Sequence, residues 1–198
     1  MTTSYQTGYQ VTCLVTRSQT EENMRTFIAL ELPERFAGEV SQLSRVLSYE
    51  IEGRYGERGS HNIVLAFLGD INDGQLVPVI AAMNAAAGFA HPVPLAADKL
   101  GKFGKRSDAT LWLGIKRSTE MDKLVGDLWG LLDKRNIDFD QRPFKPHVTI
   151  ARHAKMFDPL PDALPFPCDD IATKMTLFKS EMNRKGATYT PLYSLELS

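Results

Sequence analysis

The chain has 198 residues, room for one large domain or two small lobes and too little for three domains. Hydrophobic residues make up 43% and charged residues 24%, the proportions of a folded globular protein and not of a disordered one. The net charge of −1 excludes a globally basic nucleic-acid coat but not a local basic cleft, and no apolar run approaches the ~18 residues that span a bilayer. Residues 1–23, rich in Thr, Ser, Gln and Tyr, read as a flexible N-terminal extension, with Met24 as the functional start. Residues 24–198 are expected to form a single domain. Cys13 and Cys168 lie far apart, outside any CxxC or Cys/His cluster, and read as free thiols of a reducing cytoplasm.

The run Arg25-Thr26-Phe27-Ile28-Ala29-Leu30-Glu31-Leu32-Pro33 is apolar, β-prone and closed by proline, which predicts a strand. Phe36, Val40, Leu43, Val46 and Leu47 then repeat at helical spacing. A glycine-rich, charged loop is expected over 52–60, and a buried strand over 61–70. Asn72, Asp73 and Gly74 start a helix that continues through 76–87. Strands are predicted over 92–100 and 110–115, separated by a loop over 101–106 that carries Lys102, Lys105 and Arg106. The clearest helix covers 119–134, capped by Ser118 or Thr119, with Met121, Leu124, Val125, Leu128, Leu131 and Leu132 on its apolar face. A strand over 144–152, a proline-rich loop over 156–167, and strands over 171–179 and 189–197 complete the chain. A turn around Arg184, Lys185 and Gly186 joins the last two strands. Strands joined by helices alternate with strands joined directly, which predicts an α+β fold.

The segment Pro146-His147-Val148-Thr149-Ile150-Ala151-Arg152 carries the strongest chemical signal. Side chains alternate along a strand, so Val148 and Ile150 face the core while His147 and Thr149 share the other face, about 7 Å apart. An imidazole can act as general base or acid near neutral pH. A threonine hydroxyl can donate to a phosphate oxygen, and Arg152 can offset its charge. Across 139–155, Arg142, Lys145, Arg152 and Lys155 stand against Asp140 alone, so the histidine strand lies in basic surroundings suited to an anionic ligand. A half-exposed strand with a hydrogen-bonded histidine is the plain alternative.

The ordered set Arg25-Thr26-Phe27-Ile28-Ala29, Leu65-Ala66-Phe67-Leu68-Gly69, Leu111-Trp112-Leu113-Gly114, residues 142–152, and Tyr189-Thr190-Pro191-Leu192 resembles the 2H phosphoesterases. Within them it is most similar to the bacterial RNA 2',3'-cyclic phosphodiesterase branch, also labelled 2'-5' RNA ligase-like. The resemblance covers residues 24–198. It implies two similar lobes, each an antiparallel sheet with helices, around a central cleft. Each lobe would supply a His-x-Thr-x strand. One histidine would activate water, the other would protonate the leaving ribose oxygen, and the threonines would hold the phosphate. It implies no cofactor and no metal.

The second motif is intact as His147-Val148-Thr149-Ile150. The first is not: aligned without a gap, Asn62 stands at the histidine position and Val64 at the threonine position. His61 falls one residue early, on the opposite face, unless a β-bulge re-aims it. His153 is about 20 Å beyond His147 along an extended strand, and His91 reads as a loop residue. The candidate site is therefore His147 with Thr149, Arg152 and Asn62, joined by His61 only if the strand is bulged. The function expected is hydrolysis of a 2',3'-cyclic phosphate at the end of RNA or a nucleotide, by a cytoplasmic monomer with no membrane partner. A weakly catalytic or inactive relative that grips terminal phosphates is the alternative, and a purely structural scaffold is the third.

Overall fold

In the computed structural model, which describes residues 23–156, 164–183 and 186–198, the first apolar run becomes β1 (Met24–Glu31), buried through residues 26–30. Pro33 closes it, having no N–H to add to a ladder. Its carbonyl accepts the first helical hydrogen bond, from Ala37 at 2.9 Å. Helix α1 (Glu34–Glu50) buries Phe36, Val40, Leu43, Ser44 and Leu47, whereas Val46, expected on that face, is half-buried.

The loop expected over 52–60 holds a short strand, β2 (Arg54–Tyr55), and a 3-10 turn (Arg58–Ser60). Two residues have no periodicity to read, so only their pairing reveals the strand. β3 (Asn62–Ile71) leads into α2 (Asp73–Ala87) through a reciprocal cap. Asn72 accepts from the Gln75 backbone at 3.0 Å, and the Gln75 side chain accepts from the Asn72 backbone at 3.1 Å.

The strand and loop expected over 92–106 are instead β4 (Val93–Leu95) and β5 (Ala97–Lys105). Lysines and glycines give β5 the composition of a loop. Among the described residues it is an edge strand, paired only with β6 (Asp108–Ile115), so neither face needs apolar residues throughout. α3 (Thr119–Asp133) is capped by Ser118, which accepts from the Met121 backbone at 3.1 Å. β7 (His147–Ala154), β8 (Asp170–Ala172), β9 (Lys174–Asn183) and β10 (Gly186–Glu196) complete the element order. The expected N-terminal extension, but for Asn23, lies outside the described residues, as do residues 157–163 of the proline-rich loop and Arg184 and Lys185 of the last turn.

The order β10-β9-β1-β3-β7-β6-β5 makes one antiparallel sheet with two halves, and β4 pairs with β8 apart from it. The halves join where β3 meets β7 through a single pair, Ile63 and Val148, both fully buried. Beyond it the strands part. The Trp129 indole donates to the Leu65 carbonyl at 2.9 Å, and the Asp140 backbone donates to the Phe67 carbonyl at 2.9 Å. Carbonyls that β7 leaves unpaired are thus satisfied by α3 and by the loop after it. At the other end β2 takes over beside β7, pairing Arg54 with Arg152 and Tyr55 with Ala151. The fold is α+β, as the element order predicts.

Candidate active site

Register fixes which side chains share the open face at the seam. Continuing the Ile63–Val148 pair by one residue each way sets Asn62 beside Thr149 and Val64 beside His147. On the flanks, β1 pairs Glu31 with Asn62 and Ala29 with Val64. β6 pairs Trp112 with Thr149 and Gly114 with His147. The core takes the alternate residues, among them Leu30, Ile63, Val148 and Leu113.

His147 is half-buried at the start of β7. Its Nδ1 lies 2.6 Å from the Lys145 carbonyl. A carbonyl only accepts, so Nδ1 carries the proton and Nε2 is left as the basic nitrogen. Phe103 meets the imidazole edge-on at 5.2 Å between centroids, and Trp112 lies 5.9 Å away. Burial among these rings lowers the His147 pKa below the usual 6.5, and the positive charges of Lys145 and Arg152 lower it further. The bond to the Lys145 carbonyl pulls the other way. The balance keeps the ring neutral at pH 7, in the form that can accept a proton.

Strict alternation would place Arg152 with Val148 and Ile150. A register shift intervenes: Trp112 pairs with Thr149 but Leu111 with Ala151, leaving Ile150 as an extra residue. The bulge re-aims the side chains after it. Thr149 and Arg152 consequently line the same hollow of about 430 Å³, walled by Tyr55 and Ser60 on one side and Tyr189 on the other.

The condition on which His61 depended is not met. β3 does carry register shifts, but they fall beyond Val64, between its pairings with Ile28 and Ala29 and between those with Thr26 and Phe27. Asn62 and Ile63 pair regularly with Glu31 and Leu30. His61 stays on the side opposite Asn62, 6% exposed, next to Gly56, with neither ring nitrogen hydrogen-bonded among the described residues. Burial lowers its pKa. Asn62 faces the seam instead, 9% exposed, its amide donating to the Ser60 carbonyl at 3.3 Å. Glu31 beside it accepts from the Thr176 hydroxyl and lies 3.2 Å from the Lys174 ammonium. His153 pairs with Asp108 at 2.9 Å on the exposed end of β7, and His91 is exposed in a loop.

Sequence reasoning does not assign Phe103 or Trp112 to the site, and counts Lys145 only among its basic surroundings. The period-two spacing of Gly101 and Phe103, and of Trp112 and Gly114, is a usable signal, hidden because 101–106 reads as a loop. Among the described residues, no three His, Cys, Asp or Glu side chains come together in a metal-binding group.

The arrangement offers a neutral imidazole, a hydroxyl and a guanidinium along one strand, the components of acid–base chemistry on a phosphate ester. The profile of the 2'-5' RNA ligase superfamily matches residues 64–179. A Geobacillus stearothermophilus protein named RNA 2',3'-cyclic phosphodiesterase is 34% identical over 128 residues, 64% of this chain but only 41% of that protein. A Bacillus subtilis protein of the same name is 24% identical over 179 residues, covering 87% of this chain and 96% of its own. Among solved structures, Escherichia coli LigT in its apo form superposes with a TM-score of 0.73 and 25% identity, covering 89% of this chain and 99% of LigT. Its complex with 3'-AMP gives a TM-score of 0.74 at the same identity and coverage. A profile match over more than half of its length, on a sheet whose two halves meet at the histidine strand, makes this chain a member of the 2'-5' RNA ligase superfamily.

Proposed function

We propose that the chain hydrolyses 2',3'-cyclic phosphates at the ends of RNA or of nucleotides, by histidine acid–base chemistry and without a cofactor. The observation that carries this reading is His147 and Thr149 side by side on the open face of β7, with Nδ1 of the histidine committed to a carbonyl. The names of the Geobacillus and Bacillus relatives support the substrate class. In this reading Thr149 donates to a phosphoryl oxygen and Arg152 offsets the phosphate charge. Nε2 of His147 takes a proton from water as the water oxygen bonds to phosphorus. One ring P–O bond breaks, and the leaving ribose oxygen takes its proton from solvent, since the Asn62 amide has none to give at neutral pH. His147 then releases its proton to solvent and the product is a phosphomonoester.

Asn62 at the seam favours a second reading, a slow or inactive relative that binds the same phosphates. An assay on the four 2',3'-cyclic nucleotides and a short RNA ending in a cyclic phosphate separates the two. Release of monoester that depends on His147 is the expected result. Binding of these probes with no product from any of them establishes the second reading instead. We take the protein to work as a monomer in the cytoplasm, where the free, exposed thiol of Cys168 stays reduced. No described helix is long and apolar enough to cross a membrane.

A further inference from the structure

Helix α2 is apolar on both sides. Val79, Ala82, Met83, Ala86 and Ala87 form its buried face. The opposite face offers water no charge: after Asp73 in the first turn, residues 74–90 hold neither acid nor base. Val77 is 72% exposed there, Ala81 and Asn84 are exposed, and Leu76, Ile80 and Ala85 are half-buried. Phe89, just past the helix, is 68% exposed. From β10 the Tyr193 hydroxyl donates to the Asn84 side chain at 2.9 Å, which brings a further half-buried ring to the edge of this surface. A surface helix turns charged residues to solvent, and one that is apolar all round is covered on both sides. The other two long helices follow that rule, exposing Arg35, Arg45 and Glu50 on α1 and Asp122, Lys123 and Asp133 on α3.

The chain itself supplies a cover. Met24 pairs with Ile71, the residue before the Asn72 cap, so the backbone enters β1 beside the start of α2. Upstream, outside the described residues, Tyr9-Gln10-Val11-Thr12-Cys13-Leu14-Val15 is an uncharged and mostly apolar run, followed at Arg17 by a cation. The nine residues from Val15 to Met24 span at most about 30 Å. The 15 residues of α2 are about 22 Å long, so the run can reach any point of the outer face. The charges match as well. Asp73 stands at the end of α2 nearest Met24, and Arg17 lies between Met24 and the run, so the cation can meet the carboxylate while uncharged residues lie against uncharged ones.

We propose that the run over 9–15 docks on the outer face of α2, between Val77 and Phe89, with Arg17 beside Asp73. The stretch before Met24, whose composition reads as a flexible extension, is thereby part of the fold, and it shields an apolar helix from other chains. The inference stands apart from the phosphodiesterase reading, since α2 contributes nothing to the cleft.

The full chain carries its own probes: Cys13 within the run, and Cys168, exposed ahead of β8. Labelling with iodoacetamide and mass spectrometry of the peptides read the two thiols separately. Cys13 labels at least about tenfold more slowly in the native chain than in urea, whereas Cys168 labels nearly alike in both. Val77→Asp, at an exposed position outside the core, returns Cys13 to within about twofold of its rate in urea and leaves Cys168 unchanged. Far-UV circular dichroism confirms that the variant is folded. In a Cys168→Ser background, Ala81→Cys forms a disulfide with Cys13 inside one chain under oxidised glutathione. Tyr49→Cys, at a position 81% exposed on α1, forms it at most about a tenth as fast. Native Cys13 labelled at its rate in urea, protection that survives Val77→Asp, or equal crosslinking from positions 49 and 81 each overturns the proposal. So does a disulfide joining two chains, which makes a second copy the cover of α2.

Discussion

His147 is held below its usual pKa by burial against Phe103 and Trp112 and by the charges of Lys145 and Arg152. As the proposed general base it must be neutral to accept a proton from water. The kcat/KM profile should therefore fall on the acid side with a midpoint below pH 6.5 and stay level through neutral and mildly basic pH, because Asn62 does not titrate. His147→Ala should lower turnover by about 10²–10⁴-fold, the usual contribution of a general acid–base group. Arg152→Ala should act chiefly on KM, as a charge at the rim of the hollow does not move protons. Steady-state kinetics on a cyclic nucleotide check both. Asn62 and Val64 stand beside Thr149 and His147, where the superfamily resemblance puts a second histidine and threonine. Asn62→His with Val64→Thr should raise the rate at least about tenfold and add a basic limb to the pH profile, since a histidine acid must be protonated to work. His61→Ala should leave the rate within a few-fold, because that ring is buried on the opposite side of the strand. A large loss in His61→Ala would reverse the assignment of the two positions.

Single elements are secured by local chemistry that the sequence shows plainly. The cap residues Asn72 and Ser118 sit where expected, and the buried stripes of α1 and α3 have helical spacing. What aligns β3 is less visible. Where β7 parts from it, the Trp129 indole donates to the carbonyl of Leu65, itself 1% exposed. Trp129→Phe keeps the ring but removes the donor, leaving that acceptor unpaired. Chemical denaturation should show a loss of about 1–3 kcal/mol, measured as a lower midpoint at unchanged slope. β2 and β5 escape a reading of the sequence for a common reason. One is too short for any pattern, and the other is an edge strand made of lysine, glycine and phenylalanine, whose identity lies in its hydrogen bonds to β6.

At the scale of the whole molecule, one residue pair joins the two halves of the sheet, and the candidate site sits where they part. The groups there are imidazole, hydroxyl, amide and guanidinium with the single carboxylate of Glu31, among the described residues a set without the carboxylate or thiolate cluster that binds divalent ions well. Hydrolysis should accordingly persist in excess chelator, and loss of activity that added metal restores would overturn the histidine mechanism. The sequence by itself determined the α+β class, the main helices, and His147 with Thr149 on one strand face, because period and capping are local and leave their mark on neighbouring residues. Its resemblance to the superfamily set Asn62 and Val64 against the positions of a second histidine and threonine. Only the tertiary structure decided that His61 stays buried, since a bulge is a matter of pairing between strands. It alone decided that Ile150 is the extra residue whose bulge sends Arg152 to the side of Thr149. It alone brought Phe103 and Trp112 against His147, across strands β5, β6 and β7, because cross-strand register is set by packing between distant segments and leaves no periodic trace in any one of them.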